Sequence, residues 1–244
     1  MNRPVDPSIR PPIRGIIFDL DGTLVDSRRD IVSGVNRMRM ERGLPALPEN
    51  WVASHIGWGA RNLVARCLLP RGSSTPSPLP DPHKPTDLEI DTALSDFRRH
   101  YDDCLLETTV PFPGIRELLA EGMHREVVMT VVSNKPERFC RKILAGLGLS
   151  DPFAWIAGSD TFAEKKPSPL PLLEMFKRMN VAPAEGVMTG DGSTDFDAAR
   201  SAGCPIFMVT WGLSSLENIR KLNPDRIAAG ADQLAAFLWG PGSI

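Results

Sequence analysis

The sequence predicts an α/β fold, with a parallel-sheet core that an all-helical insert interrupts after the first strand. Three observations carry this reading. Short apolar runs, each closed by a polar or glycine-containing turn, alternate with helical patterns through the second half of the chain, and such alternation builds βαβ units around a parallel sheet. One further run of this kind stands alone at 14–19, and the next strong one begins only at 126. Between them the chain reads as helix, broken by one proline-rich loop.

The first run, Arg14-Gly15-Ile16-Ile17-Phe18-Asp19, is apolar and ends in an acidic turn, as a buried strand should. Ser27-Arg28-Arg29-Asp30 has the capping-box pattern and opens a helix to about Arg42. Residues 49–69 and 87–107 carry two more helical patterns. The loop between them holds six prolines in residues 70–85, which excludes helix and central strand there. Pro111-Phe112-Pro113-Gly114 marks the return to the core. Strong strands follow at 126–133, 186–191 and 205–210, with weaker ones at 153–158 and 226–229. Helices are expected at 114–122, 136–147, 168–180, 194–202 and 231–239. The domain division expected is a core of 1–27 with 110–244, and a helical cap of 28–109.

Composition narrows the function. The chain has 244 residues, 42% of them hydrophobic and 24% charged, which is globular and long enough for roughly one and a half to two domains. A net charge of −2 and a pI near 6.1 give no electrostatic case for nucleic acid or an anionic membrane. No apolar run approaches the ~20 residues of a spanning helix, and the start has no signal-peptide pattern, so a cytoplasmic protein is expected, as monomer or homodimer. Four scattered cysteines without a C-x-x-C pair read as free thiols. His55, His83, His100 and His124 show no metal-ligand spacing. Arginine supplies 21 of the 28 basic residues, so a lysine inside a motif stands out.

The sharpest motif is Asp19-Leu20-Asp21-Gly22-Thr23. Side chains two apart on extended chain point the same way, about 6–7 Å apart, so Asp19 and Asp21 face a common space. A second acidic turn, Asp191-Gly192-Ser193-Thr194-Asp195, closes the strand ending at Gly190. Helix capping by Thr194 and Asp197 explains part of it, but neither Asp191 nor Asp195. Ligands of parallel sheets sit beyond the carboxyl ends of strands at the switch in strand order. If the two acidic strands are neighbours, Asp19, Asp191 and Asp195 converge there, and oxygen-only ligands favour a hard ion, Mg²⁺ first. Ser133-Asn134-Lys135 ends another strand at a helix N-terminus, a ready anion site, and Lys166-Pro167-Ser168-Pro169 adds a lysine before a helix.

Together these four fragments resemble, in order and spacing, the four motifs of the haloacid dehalogenase superfamily. Within it the chain most resembles the phosphoglycolate phosphatases, including Asp26-Ser27, Glu41-Arg42-Gly43-Leu44-Pro45 and Gly57-Trp58-Gly59-Ala60. The resemblance implies a Rossmann-like core with an inserted cap and a phosphatase acting on a small phosphorylated metabolite. It assigns Asp19 as nucleophile and Asp21 as acid and base. Mg²⁺ would be held by Asp19, the Asp21 carbonyl and Asp191, with Asp195 acting through water. Thr23, Ser133, Asn134 and Lys166 would bind phosphate, Lys166 being favoured over Lys165 by the Lys-Pro pair. In the cap, His55, Trp58 and Arg61 are the specificity candidates; Arg61 reads either as a bidentate carboxylate partner or as an exposed helix arginine. Trp58 departs from the smaller or polar residue expected between Gly57 and Gly59.

Other readings leave different marks. A sugar-phosphate phosphatase or phosphomutase needs cap groups for a sugar phosphate, and the sequence shows no clear set. A dehalogenase of this superfamily lacks the second acid, which Asp21 supplies. A non-catalytic binding protein would lack the nucleophile or the motif lysine, and neither is missing.

Overall fold

The computed structural model describes residues 13–69 and 84–240. The chain enters through β1 (Gly15–Phe18), whose four residues are all buried, and after an acidic turn forms the two-residue β2 (Val25–Asp26). Four helices follow: α1 (Arg28–Glu41), α2 (Glu49–Ala53), α3 (Ala60–Leu68) and α4 (Asp87–Cys104). The short β3 (Val110–Pro111) pairs antiparallel with β2, so outgoing and returning connections of the insert lie side by side. The rest alternates: α5 (Ile115–His124), β4 (Val128–Val132), α6 (Glu137–Gly146), β5 (Phe153–Ala157), α7 (Leu170–Met179), β6 (Gly186–Gly190), α8 (Ser193–Ala202), β7 (Ile206–Val209), α9 (Leu216–Leu222), β8 (Arg226–Ala228) and α10 (Ala231–Trp239).

Among the described residues six strands form one parallel sheet in the order β5-β4-β1-β6-β7-β8. This is the α/β fold with a helical insert after β1 that the alternation predicts. Apolar side chains alternate across the sheet, as strand geometry requires. Ile16 and Phe18 join one core with Met129, Val131 and Phe207, while Ile17 joins a second with Val132, Met188 and Ile206. The first core runs on into the insert through Leu20, Leu24, Ile31, Val35, Leu63 and Phe97. The insert is therefore packed onto the sheet's carboxyl edge by a continuous apolar contact. No helix among the described residues is long and apolar enough to cross a membrane.

Several local expectations need correction. The pattern at 49–69 is two helices, because Gly57 and Gly59 adopt φ of +109° and +92°, a region that interrupts a right-handed helix. Ser27 precedes α1 but makes no cap bond with its side chain. Its supposed partner Asp30 instead turns its carboxylate to Thr108 and Thr109, accepting from both amides and both hydroxyls at 2.6–3.1 Å. At α8 the residue that reaches back to the turn is Asp195, which accepts from the Gly192 amide at 3.0 Å, where Asp197 was expected. Most of the proline-rich loop at 70–85, with His83, lies outside the described residues. The helix α9 and the β2–β3 pair have no counterpart among the expected elements.

Candidate active site

The register sets the site. Phe18 lies opposite Val131 on one side and Thr189 on the other, so the chain leaves β1, β4 and β6 at one level. From β1 the sheet grows one way through β4 and β5, and the other way through β6, β7 and β8. The carboxyl end of β1 is thus the switch point where such sheets bind ligands. Asp19, Ser133 and Asp191 stand there together, lining one cavity with Asp21, Lys166 and Asp195.

The turn after β1 is held by the Gly22 amide donating to the Val25 carbonyl at 3.0 Å. Gly22 sits at φ +84°, and a Cβ there would lie 2.5 Å from Asp191 Oδ2. Both facts demand glycine, since this turn must pass directly over the second acidic strand end. Asp191 is fixed by the Leu213 amide, which donates to Oδ2 at 2.6 Å.

Lys166 is buried and brings its ammonium to three oxygens: Asp19 Oδ1 at 2.9 Å, Asp195 Oδ1 at 2.6 Å and the Val132 carbonyl at 2.6 Å. Burial alone would lower its pKa, but Asp19 and Asp195 outweigh that and raise it above the ordinary lysine value. Of the adjacent lysines, Lys166 reaches the acids. Lys165 is half-buried, held below the usual lysine pKa by burial, and donates to the Trp58 carbonyl at 2.8 Å. Asn134 joins the halves of the site, its amide donating to the carbonyls of Gly57 and Lys166, each at 2.9 Å.

Asp21 has different company. Ser27 Oγ donates to its Oδ1, and Lys135 Nζ donates to the same oxygen at 2.7 Å. Lys135 Nζ also donates to the Tyr101 hydroxyl at 2.6 Å and lies 4.7 Å from that ring's centroid. Tyr101 comes from α4, so the insert contributes a polar side chain to the cavity. The sequence pattern gives Ser27 only a capping role, and it gives neither Lys135 nor Tyr101 a part of its own in the site. The available signals were the scarcity of lysine and the fact that Tyr101 is the only tyrosine in the chain.

The remaining candidates are placed elsewhere. Thr23 is fully buried, its carbonyl accepting from Trp211 Nε1 at 3.1 Å, and it does not line the cavity. Gly57, Gly59 and Ala60 line the cavity, but the side chains of His55, Trp58 and Arg61 do not. His55 packs against Trp51 with centroids 4.3 Å apart and the rings tilted by 33°, Trp58 is 48% exposed, and Arg61 pairs with Asp87 at 2.7 Å and with Asp91.

Asp19, Asp191 and Asp195 each present a carboxylate oxygen within 4.8 Å of the others. Two carboxylates ~4 Å apart repel by about 4 kcal/mol at an effective dielectric near 20, and Lys166 alone offsets three. The strain is legible in their protonation. Burial pushes Asp191 up to about 8, with Asp195 and Asp19 adding to the shift. Asp19 rises to about 6, where burial outweighs the opposing pull of Lys166. An all-oxygen cluster with excess negative charge suits a hard divalent cation.

Three carboxylates and a buried lysine thus meet at the sheet's switch point, where residues of the inserted helical unit line the same cavity. Residues 16–209 match the haloacid dehalogenase-like hydrolases, and the chain belongs to that family. A phosphoglycolate phosphatase of Thiobacillus denitrificans is 33% identical over 231 residues, spanning 93% of this chain and 96% of that protein. One from Chromobacterium violaceum is 35% identical over 208 residues, spanning 85% and 89%. A crystal structure from Lactobacillus delbrueckii subsp. bulgaricus superposes with a TM-score of 0.85 at 26% identity, covering 94% of this chain and 99% of that one.

Proposed function

We propose that this chain is a Mg²⁺-dependent phosphatase of a small phosphomonoester, hydrolysing 2-phosphoglycolate to glycolate and phosphate. The observation that carries the reading is the convergence of Asp19, Asp21, Asp191, Asp195 and Lys166 at one strand-end cavity. The substrate is supported by relatives named phosphoglycolate phosphatases at about a third identity over most of both chains.

Phosphate monoesters are among the slowest substrates to hydrolyse unaided, so the site must supply on the order of 20 kcal/mol. Asp19, which lines the cavity, attacks phosphorus and displaces the alkoxide, forming an aspartyl phosphate. Ser27 and Lys135 both bond Oδ1 of Asp21, which leaves Oδ2 to hand a proton to the departing oxygen and later take one from water. Lys166 holds Asp19 in place and, with Ser133, meets the phosphoryl oxygens where charge must be stabilised. Asn134 braces Lys166 through its carbonyl, and Thr23 supports the turn from behind. Bound by Asp19, the Asp21 carbonyl and Asp191, with Asp195 behind them, Mg²⁺ would offset the repulsion between nucleophile and phosphate.

The insert, residues 28–109, then acts as a cap on the core formed by 1–27 and 110–244. Its two connections meet at the β2–β3 pair, the natural hinge for opening and closing over substrate. A phosphate-release screen with Mg²⁺ tests the assignment, ranking 2-phosphoglycolate, sugar phosphates, nucleotides and pyrophosphate by kcat/KM. 2-Phosphoglycolate should rank first. A sugar phosphate in first place would overturn the substrate, and no release from any ester would overturn the activity.

A further inference from the structure

Besides the acids, the cavity is lined by apolar side chains, Ile31, Ile56, Leu63, Phe97 and Phe139. Tyr101 and Lys135 line the same cavity. Tyr101 is 1% exposed and Lys135 8%. Their hydrogen bonds leave two donors over. The Lys135 ammonium has three N–H groups, and among the described residues its acceptors are Asp21 and Tyr101. The Tyr101 oxygen receives the bond from Lys135, and its own O–H has no acceptor among the described residues. A buried donor without a partner is destabilising, and here two such donors sit 2.6 Å apart at the heavy atoms and line the same cavity.

We infer that Tyr101 and Lys135 form the subsite for a carboxylate on the leaving group, and so select small phosphorylated acids. The proposal rests on the phosphatase reading above and replaces Arg61, whose guanidinium is taken by Asp87 and Asp91. A carboxylate has two oxygens, one for each spare donor, and a charge that a neutral hydroxyl does not offer. Lys135 would then serve two carboxylates at once, as Lys166 already does for Asp19 and Asp195. The geometry suits a short acid. Lys135 also touches Asp21, so a carboxylate held on its ammonium keeps an ester oxygen one methylene away beside the proton donor. The apolar walls sharpen the choice, because the hydroxyls of a sugar phosphate would be buried there without partners.

The test compares two esters of equal length in one variant at a time: 2-phosphoglycolate and ethyl phosphate, which lacks the carboxylate. Taking their kcat/KM ratio cancels any general loss of folded or active protein. The wild type should favour 2-phosphoglycolate at least tenfold. Lys135→Met should lower that ratio by about ten- to a hundredfold, the range for hydrogen bonds to charged groups. Tyr101→Phe, which keeps the ring and its packing, should lower it by about three- to tenfold. Unchanged ratios in both variants, or a fall in Arg61→Ala instead, would overturn the subsite. A wild type that cleaves both esters equally would also overturn it while leaving the phosphatase intact. Release from neither ester would overturn the phosphatase reading, and the subsite with it.

Discussion

Asp19 and Asp21 are the same residue type two positions apart, and their surroundings differ. Asp19 faces Lys166 and two more carboxylates, whereas Asp21 is bonded through one oxygen by Ser27 and Lys135. Asn at either position keeps the shape and removes the charge, so the two variants should separate the roles. Asp19→Asn should abolish turnover and any phosphorylated protein, because an amide is a poor nucleophile. Asp21→Asn should lower kcat by about two to four orders of magnitude, the usual contribution of a proton-transfer group, with KM little changed. Steady-state kinetics and intact-protein mass spectrometry after rapid quench check both, and near-normal turnover in Asp19→Asn would exclude a covalent route. The acids and Lys166 were legible in the sequence because each follows a strand or precedes a helix within a local motif. Tyr101 was not, since it sits mid-helix at a spacing that reads as core, and its partner Lys135 lies far along the chain. Arg61 misleads for the opposite reason: its neighbours in sequence suggest a binding edge, and Asp87 and Asp91, which occupy it, come from another helix.

The helices of the insert show what local pattern can and cannot supply. The long amphipathic α1 and α4 emerge from periodicity, and α4 carries the full capping box of Thr86 and Glu89. The Gly57–Gly59 break escapes periodicity because two left-handed glycines interrupt the chain without changing the apolar spacing. Asp30 is the clearest case. Sequence offers it a capping partner three residues away, but the folded chain brings Thr108 and Thr109 to its buried carboxylate. That contact ties the first turn of α1 to the segment that leads into β3, so its loss should loosen the insert. Asp30→Ala leaves the amide and hydroxyl of the buried Thr109 unpaired and should cost about 1.5–3 kcal/mol. For a chain of this size that is a fall in Tm of roughly 3–12 °C, readable by thermal denaturation. An unchanged Tm would mean that water replaces the carboxylate at no cost.

At the scale of the whole molecule, the acidic cluster couples the site to stability. Asp19 is raised from 3.8 to about 6, and Asp191 from 3.8 to about 8, with burial the leading cause in both. Asp195, Lys166 and, for Asp19, Asp21 face them. A carboxyl whose pKa is higher in the folded state binds its proton more tightly there than in the unfolded chain. Its contribution to stability is therefore complete below about 3.8 and is lost as pH rises through about 6 for Asp19 and about 8 for Asp191. The metal-free protein should accordingly lose stability between pH 5 and pH 8. A divalent cation should oppose that trend, because it would bind the deprotonated cluster and compete with protons for it. Mg²⁺ at about a hundred times its dissociation constant adds about 2.7 kcal/mol, or roughly 5–10 °C in Tm. The gain should be greatest near pH 8 and shrink toward pH 5, where the carboxyls hold protons instead. Thermal melts over that range with Mg²⁺ or EDTA read the effect without assuming any substrate, and phosphate release in the same buffers links it to turnover. Ca²⁺ should stabilise the fold yet inhibit, since it takes more oxygens at longer distances and would occupy both oxygens of Asp19, the proposed nucleophile. A Mg²⁺-induced shift of the same size at every pH would mean that the ion binds elsewhere, and full activity in excess EDTA would mean that the cluster works without one.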